Sequence, residues 1–173
     1  MSKNIVLVGL SGSGKTTVGN ILKNTLKNFQ FIDTDELIVQ QENRSINTIF
    51  AENGEQYFRK IESGIVEQVS KKENQIISTG GGVVLNIDNI KYLKQKGIIF
   101  YLKTSPDTLI ERLKGDTSRP LLKTDDIKSK LISMLNIRAN LYEKADFIIE
   151  TDKLTENSTA EEIMRIYNER SNC

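Results

Sequence analysis

The stretch GLSGSGKTT, residues 9–17, lies between a segment with the pattern of a strand and one with the pattern of a helix. Residues 4–8 (NIVLV) before it have the pattern of a buried parallel strand. After it, side chains recur at helical spacing on one face, at Val18, Ile21, Leu22, Thr25 and Leu26. A Gly-x-x-x-x-Gly-Lys-Ser/Thr motif between a strand and a helix is the phosphate-binding P-loop. The sequence therefore predicts nucleotide binding.

The residue types of this P-loop indicate how it would hold phosphate. Its glycines let backbone N–H groups turn inward around phosphate oxygens, and the following helix points the positive end of its dipole at the same anion. Lys15 is expected to reach the β- and γ-phosphates, and the Thr16 hydroxyl to ligate Mg²⁺. The alternative is a glycine-rich turn without a ligand, but the motif rarely matches by chance, and the strand before it and the helix after it make a chance match rarer still.

The composition excludes several classes of function. A chain of 173 residues fits one domain with a sizeable core. With 24 Lys and Arg against 23 Asp and Glu, the net charge of +1 gives no electrostatic argument for a nucleic-acid partner. The apolar runs are far shorter than the roughly 20 residues needed to cross a bilayer, so no membrane association is expected.

The counts of histidine and cysteine restrict the chemistry further. The chain has no His, which excludes His-based acid–base catalysis and leaves a carboxylate or water as proton acceptor. Any metal should then be a hard, oxygen-bound ion such as Mg²⁺. The single cysteine, Cys173, cannot form an intramolecular disulfide, and the first predicted strand leaves no room for a signal peptide. These features predict a cytoplasmic location.

Apolar runs alternate with helical patterns along the chain, which predicts an α/β fold with a parallel sheet. Five strands are predicted, at residues 5–8, 29–32, 75–78, 98–102 and 147–149. The clearest helical pattern between them is an apolar stripe of Phe58, Ile61, Ile65, Val66 and Val69. Another helix is predicted to be capped by Thr104-Ser105-Pro106-Asp107, with the proline in its first turn.

Residues 114–126 differ from the rest of the chain because they are polar, lack periodicity and contain Arg119-Pro120. A loop of this length within a domain is more often a functional lid than an idle connection. A lid would exclude water, which otherwise competes as phosphoryl acceptor. The alternative is a tolerated surface insertion, and the presence of the P-loop favours the lid.

Polar residues follow the second and third predicted strands, at the edge of the sheet where open parallel sheets bind ligands. Asp33-Thr34-Asp35 follows the second strand, and Thr79 with three glycines follows the third. In an extended segment Asp33 and Asp35 would project to the same side, where one could hold Mg²⁺ through water and the other accept a proton. Alternatively, Thr34 or Asp35 caps a helix at residues 36–41.

Three further features each have a functional and a purely structural interpretation. Residues 80–82, all glycine, offer a backbone that a small molecule can approach closely, or form a flexible turn. Arg59 and Glu62 are helical neighbours, and spacing alone favours an exposed ion pair worth roughly 0–1 kcal/mol. The functional alternative is that Glu62 orients Arg59 to bind a substrate carboxylate. Arg138, on a later helix, has the pattern of a surface charge.

Together these motifs resemble the shikimate kinase family over essentially the whole chain. Each later motif is weak singly, but their joint order and spacing are specific. In order they are residues 9–17, 31–35 and 54–55, Phe58-Arg59-x-x-Glu62, residues 79–82, Arg112, residues 119–122, Arg138-x-x-x-Tyr142 and Ala145-Asp146. The resemblance implies a three-layer α/β sandwich of the P-loop nucleoside-monophosphate-kinase type with a five-stranded parallel sheet. It further implies one domain over residues 1–173, substrate-binding helices at about 34–62 and a mobile lid at about 114–126.

The resemblance also implies an activity, which is ATP-dependent phosphorylation of the 3-hydroxyl of shikimate on the route to chorismate. The implied partners are ATP, Mg²⁺ and shikimate, with no nucleic acid or membrane, in a cytoplasmic monomer. ATP would bind to Gly12, Ser13, Gly14, Lys15, Thr16, Thr17, Arg112 and Arg119, and the metal to Thr16 and Asp33. Shikimate would bind to Asp35, Arg59, Gly80, Gly81, Gly82 and Arg138, with Glu62 orienting Arg59. Catalysis would fall to Lys15, Arg119 and Asp35, the last as proton acceptor.

Two features depart from the family pattern. Ser11 lies where the family commonly has Met, and the P-loop sequence GLSGSGK also occurs in adenylylsulfate kinases. Glu150 ends the last predicted strand where Asp is frequent, and residues 151–157, expected to border adenine, lack the usual proline. Two alternatives therefore stay open. One is another small-molecule P-loop kinase, acting on adenylylsulfate, gluconate or a nucleoside monophosphate, and the other is an ATP-binding regulatory module without catalysis.

Overall fold

The computed structural model describes residues 3–113 and 127–171 and has a five-stranded parallel sheet at its centre. The strands are β1 (Asn4–Val8), β2 (Gln30–Asp33), β3 (Gln75–Ser78), β4 (Gly97–Lys103) and β5 (Phe147–Glu150). Their order across the sheet is β2-β3-β1-β4-β5, and every neighbouring pair is parallel. All five predicted strands are confirmed, each to within one residue at either end.

Helices cover both faces of this sheet and complete a three-layer α/β sandwich, as predicted. In the described residues they are α1 (Lys15–Thr25), α2 (Thr34–Glu42), α3 (Ile46–Ser70), α4 (Ile87–Lys96), α5 (Pro106–Leu113), α6 (Ile127–Tyr142) and α7 (Glu156–Ser171). A 3₁₀ turn at Val83–Leu85 lies between β3 and α4. None of these helices is both long and apolar enough to span a membrane.

Two apolar cores lie on opposite faces of the sheet because successive strand residues point to opposite sides. In β1, Val6 and Val8 join the core formed with α3, α4 and α6, whereas Ile5 and Leu7 join the core formed with α1 and α7. The strand is buried along its whole length, which explains why its sequence is a continuous apolar run instead of an alternating one. The P-loop follows this central strand.

The start of α2 corrects one expectation about the aspartates after β2. Asp33 ends the strand and is the N-cap of α2, because its Oδ1 accepts hydrogen bonds from the backbone N–H of Asp35 (3.0 Å) and Glu36 (3.4 Å). Asp35 therefore lies in the first helical turn, and the prediction that Asp33 and Asp35 share one side of an extended segment is wrong. The alternative prediction, that Thr34 or Asp35 caps this helix, is also wrong, because the N-cap of α2 is Asp33.

The long helix α3 is kinked at Gly54, where φ is +79° and ψ is 173°. The predicted apolar stripe lies after the kink; Phe58, Ile65, Val66 and Val69 are buried, and Ile61 is partly buried. The predicted lid, residues 114–126, lies outside the described residues, as does Arg119. That the whole chain forms one domain remains a prediction.

Candidate active site

The P-loop adopts a backbone that depends on glycine. Gly12 and Gly14 have φ values of +85° and +94°, which residues with a side chain rarely adopt. Gly14 is the N-cap of α1 and supplies no capping side chain, so the first N–H groups of the helix face the loop. Lys15 is buried, and its Nζ donates hydrogen bonds to the carbonyl oxygens of Gly9 (2.8 Å) and Leu10 (2.9 Å). The loop is thus closed around its own lysine.

Thr16 and Asp33, the two predicted metal ligands, are in direct contact. The Thr16 hydroxyl donates a hydrogen bond to Asp33 Oδ2 at 3.0 Å, while Asp33 Oδ1 caps α2. The cap fixes the orientation of this carboxylate beside the P-loop. Among residues 3–113 and 127–171, no group of three or more Asp, Glu, His or Cys could hold a metal ion by itself. The pair therefore suits an ion that takes most of its ligands from water and phosphate.

A cavity of about 330 Å³ lies beside the P-loop. Its described lining residues are Gly12, Gly14, Lys15, Thr16, Thr17, Arg112, Leu113 and Glu156. Arg112 crosses this region, since its Nη1 donates to the carbonyl of Ser13 (3.4 Å) and its Nη2 to the carbonyl of Thr151 (3.0 Å). The structure thus brings together every predicted nucleotide-binding residue except Arg119, which lies outside the described part of the chain.

On the other side of the P-loop, the glycines after β3 make room for charged side chains. A Cβ atom at Gly80 would lie 2.6 Å from Asp35 Oδ1 and 3.0 Å from Glu62 Oε1. A Cβ atom at Gly82 would lie 2.2 Å from Nη1 of Arg59. The N–H of Gly80 donates to the buried hydroxyl of Thr34 at 3.1 Å, which anchors the run to α2. Asp35, Glu62 and Arg59 therefore converge on a single turn of backbone.

Gly81, the middle glycine, is the point where the P-loop and α6 meet. Its carbonyl accepts hydrogen bonds from Arg138 Nη1 (3.2 Å) and from the hydroxyl of Tyr142. A Cβ atom there would lie 3.2 Å from the backbone nitrogen of Ser11 in the P-loop. The glycine run consequently touches both the nucleotide-binding loop and all the predicted acceptor-binding side chains.

Arg59 and Glu62 form an ion pair of a different kind from the one that spacing favours. Arg59 Nη1 lies 2.8 Å from Glu62 Oε2, and the Glu62 side chain is only 1% exposed. Arg59 also contacts the exposed Glu55 at 3.1 Å on its solvent side. The expectation of an exposed pair is wrong because the inner face of α3 packs against the glycine run, which a pattern within one helix does not reveal.

The electrostatics of Glu62 reflect this burial. Burial raises the pKa of Glu62, and the nearby Asp35 raises it further, whereas Arg59 and Arg138 lower it; the net shift is upward from the ordinary value. Burial lowers the pKa of Arg59, but its attraction to Glu62 and its hydrogen bonds to Glu62 and Glu55 outweigh this and raise it. Arg59 therefore stays a cation, and its ion pair with the buried carboxylate of Glu62 holds it in place.

Arg138 is half-buried and lies in the site, so its interpretation as a surface charge is wrong. Four residues later on α6, Tyr142 is fully buried and stacks on Tyr101, with the ring centroids 4.8 Å apart. Burial raises the pKa of Tyr142 and raises that of Tyr101 to about 12, so both hydroxyls stay protonated and can donate. Tyr142 thus helps to hold the Gly81 carbonyl in place.

Sequence reasoning assigned no substrate-binding or catalytic role to three residues that contact the site: Ser11, Thr34 and Tyr142. The i, i+4 spacing of Arg138 and Tyr142 was the available signal for the tyrosine, because both side chains then share one face of α6. Glu156, at the start of α7 and within the segment 151–157 that the resemblance implies borders adenine, lines the cavity beside the P-loop.

Comparisons with known proteins agree with this geometry. The family model for shikimate kinase matches residues 11–168 of the chain. A shikimate kinase of Caldicellulosiruptor bescii is 46% identical over 165 residues, 95% of each chain, and one of Thermodesulfovibrio yellowstonii is 44% identical over 170 residues, 98% of each chain. The solved structure of shikimate kinase from Acinetobacter baumannii in complex with shikimate aligns with a TM-score of 0.92 and 34% identity, covering 98% of this chain and 95% of its own. The chain therefore belongs to the shikimate kinase family.

Proposed function

We propose that the chain transfers the γ-phosphoryl group of ATP to the 3-hydroxyl of shikimate, giving ADP and shikimate 3-phosphate. The observation that supports this most is the convergence of Arg59, Arg138 and Asp35 on one glycine run beside the P-loop. Two guanidinium groups suit a carboxylate, and an aspartate suits hydroxyl groups. A small hydroxylated carboxylate is the substrate class that this combination favours.

The donor half of the site would hold the triphosphate of ATP. We propose that Lys15 exchanges the carbonyls of Gly9 and Leu10 for the β- and γ-phosphates when ATP binds. Backbone N–H groups from Gly12 to Thr17 would donate to phosphate oxygens, aided by the positive end of α1. Arg112 would close the nucleotide site from the end of α5.

Thr16 and Asp33 would hold Mg²⁺, Thr16 directly and Asp33 through the water shell of the ion. Both offer oxygen ligands, and their contact at 3.0 Å places them together beside the phosphate loop. When bound, Mg²⁺ would neutralise charge on the transferred phosphoryl group. Asp33 would keep its orientation while the ion is bound, because its other oxygen caps α2.

The acceptor half would be organised by the ion pair on α3. We propose that Arg59 and Arg138 bind the carboxylate of shikimate, and that Glu62 prevents Arg59 from turning away into solvent. Asp35 would orient the 3-hydroxyl and accept its proton as the new O–P bond forms. The backbone of Gly80, Gly81 and Gly82 would contact ring hydroxyls. This step relies on positioning and charge neutralisation, as expected for a loose transition state.

Arg119 would complete the site from the lid by reaching the phosphates, and lid closure would exclude water. The roles of Arg119 and the lid rest on the resemblance of the sequence to the family. The sequence is also the basis on which we propose a monomeric state and a cytoplasmic location.

The proposed function is tested by a coupled ADP-release assay across a panel of acceptors. Shikimate should support rapid turnover, whereas adenylylsulfate, gluconate and nucleoside monophosphates should give background rates. Strong turnover on one of the other acceptors, with none on shikimate, would contradict the proposal. ATP binding without turnover on any acceptor would favour a regulatory module instead.

A further inference from the structure

The carbonyl of Gly81 is held differently from those of the two glycines beside it. The carbonyls of Gly80 and Gly82 accept hydrogen bonds from backbone N–H groups of the 3₁₀ turn that follows, at 3.2 and 3.0 Å. In the described part of the chain, the donors to the Gly81 carbonyl are instead two side chains of α6, those of Arg138 and Tyr142. The position of this peptide group therefore depends on α6.

The bond from Arg138 to this carbonyl conflicts with the binding of a substrate carboxylate. A guanidinium binds a carboxylate best through two parallel N–H groups, so its plane has to turn towards the ligand. The existing bond from Arg138 Nη1 to the Gly81 oxygen measures 3.2 Å, at the long end of the range for N–H···O bonds. We therefore expect the acceptor carboxylate to draw Arg138 away from Gly81.

The hydroxyl of Tyr142 is placed so that it can keep the carbonyl hydrogen-bonded after Arg138 has turned. Tyr142 is fully buried, and its ring stacks on that of Tyr101 with the centroids 4.8 Å apart, which fixes the direction of the hydroxyl. Burial raises the pKa of Tyr142 by more than the charge and hydrogen bond of Arg138 lower it, so the hydroxyl keeps its proton and remains a donor.

We propose that Tyr142 is a positioning residue for Arg138. By donating to the Gly81 carbonyl, Tyr142 frees the guanidinium of Arg138 to turn to the carboxylate of the acceptor. The inference rests on the proposed function insofar as Arg138 binds that carboxylate.

Loss of the hydroxyl should affect the two states of the enzyme unequally. In the free enzyme, Arg138 would still donate to the Gly81 carbonyl, so this group would keep a partner. In the complex, Arg138 would turn away and the carbonyl would be left without a donor beneath the bound acceptor, which costs free energy. The cost falls on the complex alone, so removal of the hydroxyl weakens acceptor binding.

A purely structural role for Tyr142 makes a different prediction. Its ring belongs to the core formed with α3, α4 and α6, and phenylalanine would keep that packing and the stacking on Tyr101. If the hydroxyl served only the stability of the fold, Tyr142→Phe would lower the melting temperature and leave acceptor affinity unchanged.

The first test is titration calorimetry of shikimate into the wild type and Tyr142→Phe. We expect the variant to bind shikimate about 5- to 30-fold more weakly and Mg²⁺-ATP equally well. In steady-state assays the KM for shikimate should rise by a similar factor, while kcat stays within about 2-fold, because Arg138 binds the carboxylate equally in the ground state and the transition state.

Tyr167→Phe is the matched control. Tyr167 is also a buried tyrosine, and its hydroxyl donates to the backbone carbonyl of Lys3 at 2.8 Å, in the core on the opposite face of the sheet. Thermal melts followed by circular dichroism should show similar losses of melting temperature in the two variants. Only Tyr142→Phe should lose affinity for shikimate.

A neutral analogue shows whether Tyr142 acts through Arg138. The carboxamide of shikimate keeps the ring hydroxyls but lacks the negative charge, so the wild type should bind it more weakly than shikimate. If the tyrosine acts through Arg138, this discrimination should shrink in Tyr142→Phe, as a double-mutant cycle requires of coupled groups. A general loosening of the site would weaken the binding of both ligands by the same factor.

The outcomes separate this inference from the proposed function. Unchanged shikimate affinity in Tyr142→Phe, or equal losses for shikimate and its carboxamide, would overturn the role of Tyr142 and leave the proposed function intact. A wild type that does not bind shikimate would overturn both.

Discussion

Single glycines decide where the charged groups of the acceptor site can lie. At Gly82, an added Cβ atom would lie 2.2 Å from the guanidinium of Arg59, and at Gly80 it would lie 2.6 Å from the carboxylate of Asp35. Neither glycine has a positive φ, so their contribution here is the absence of a side chain and not backbone freedom. The triple-glycine sequence is thus explained by close approach of side chains as well as by any contact with substrate.

Replacing Asp35 by Asn should reduce kcat by about 10²- to 10⁴-fold, because the amide cannot accept the proton of the acceptor hydroxyl. The affinity for ATP should change little, since Asp35 lies on the far side of the P-loop from the nucleotide cavity. Steady-state kinetics and ATP titration measure the two quantities. Asp88→Asn, an exposed helix residue paired with Lys91, is the control and should leave both unchanged. Near-normal kcat in Asp35→Asn would remove this residue from its proposed role.

Replacing Arg59 by Ala should weaken shikimate binding by about 2–5 kcal/mol, the usual effect of truncating one partner of a buried charged pair. Arg59→Lys should recover only part of this, because lysine keeps the charge and loses the planar fork. Shikimate titration measures both variants.

Arg165 provides a close control for Arg59, since it also pairs with two helical glutamates, Glu162 and Glu169, but in solvent. Arg165→Ala should leave shikimate affinity unchanged. An effect of Arg59→Ala confined to the KM for ATP would contradict the proposed role of Arg59.

At the scale of elements, α3 brings the acceptor residues together by means of its kink. The segment after Gly54 presents Glu55, Arg59 and Glu62, at i, i+4 and i+7, on one face of the helix. The inner end of this row is buried against the glycine run and the outer end is exposed. The direction of the segment after the kink therefore sets the position of Arg59.

Two glycines of α3 should respond to alanine in opposite directions. Gly54→Ala places a side chain at φ +79° and should cost about 1–3 kcal/mol of unfolding free energy. Gly64 lies in regular helix with no atom within 4 Å of an added Cβ, so Gly64→Ala should add about 0.5–1 kcal/mol of stability. Urea denaturation of the two variants and the wild type measures the effect. Equal stability of the two variants would show that the kink at Gly54 is not a feature of the folded protein.

The sequence predicted a strand or helix correctly where the burial of its side chains alone is enough to identify it. The strand β1 is buried on both faces, so its apolar run is sufficient to identify it. The start of α2 was less predictable, because three consecutive residues, Asp33, Thr34 and Asp35, all have side chains that can cap a helix. Tertiary contacts distinguish the residue that ends the strand, since Asp33 pairs with Ser78 of β3 and accepts a hydrogen bond from Thr16.

At the scale of the whole molecule, the sequence could not predict which charges are buried. The Arg59–Glu62 spacing is the same in an exposed pair, and Arg138 has the pattern of a surface residue. Their burial follows from α3 and α6 meeting the turn after β3, which depends on the order of the strands and not on any single segment. Resemblance to a family identified these residues, whereas local patterns alone favoured the wrong interpretation.

The burial of Glu62 should appear in the stability of the whole protein as a dependence on pH. Its pKa in the folded state is raised by burial, net of the lowering by Arg59 and Arg138, from an ordinary value of 4.5. The unfolded chain therefore releases this proton at lower pH than the folded protein does. The resulting contribution to stability is fully present below pH 4.5 and is lost as the pH rises through the folded-state pKa.

The difference between the wild type and Glu62→Gln isolates this contribution, because glutamine does not titrate. We expect the free energy of unfolding of the wild type to fall relative to that of Glu62→Gln as the pH rises above 4.5, and then to level off. Urea denaturation at a series of pH values measures it, with Glu67→Gln, an exposed residue of α3, as the control. A wild type that gains stability relative to Glu62→Gln over the same range would mean that Arg59 and Arg138 outweigh burial. The Arg59–Glu62 ion pair would then stabilise the folded protein. If the wild type instead loses stability as expected, the buried carboxylate lowers the stability of the fold and its benefit is the positioning of Arg59.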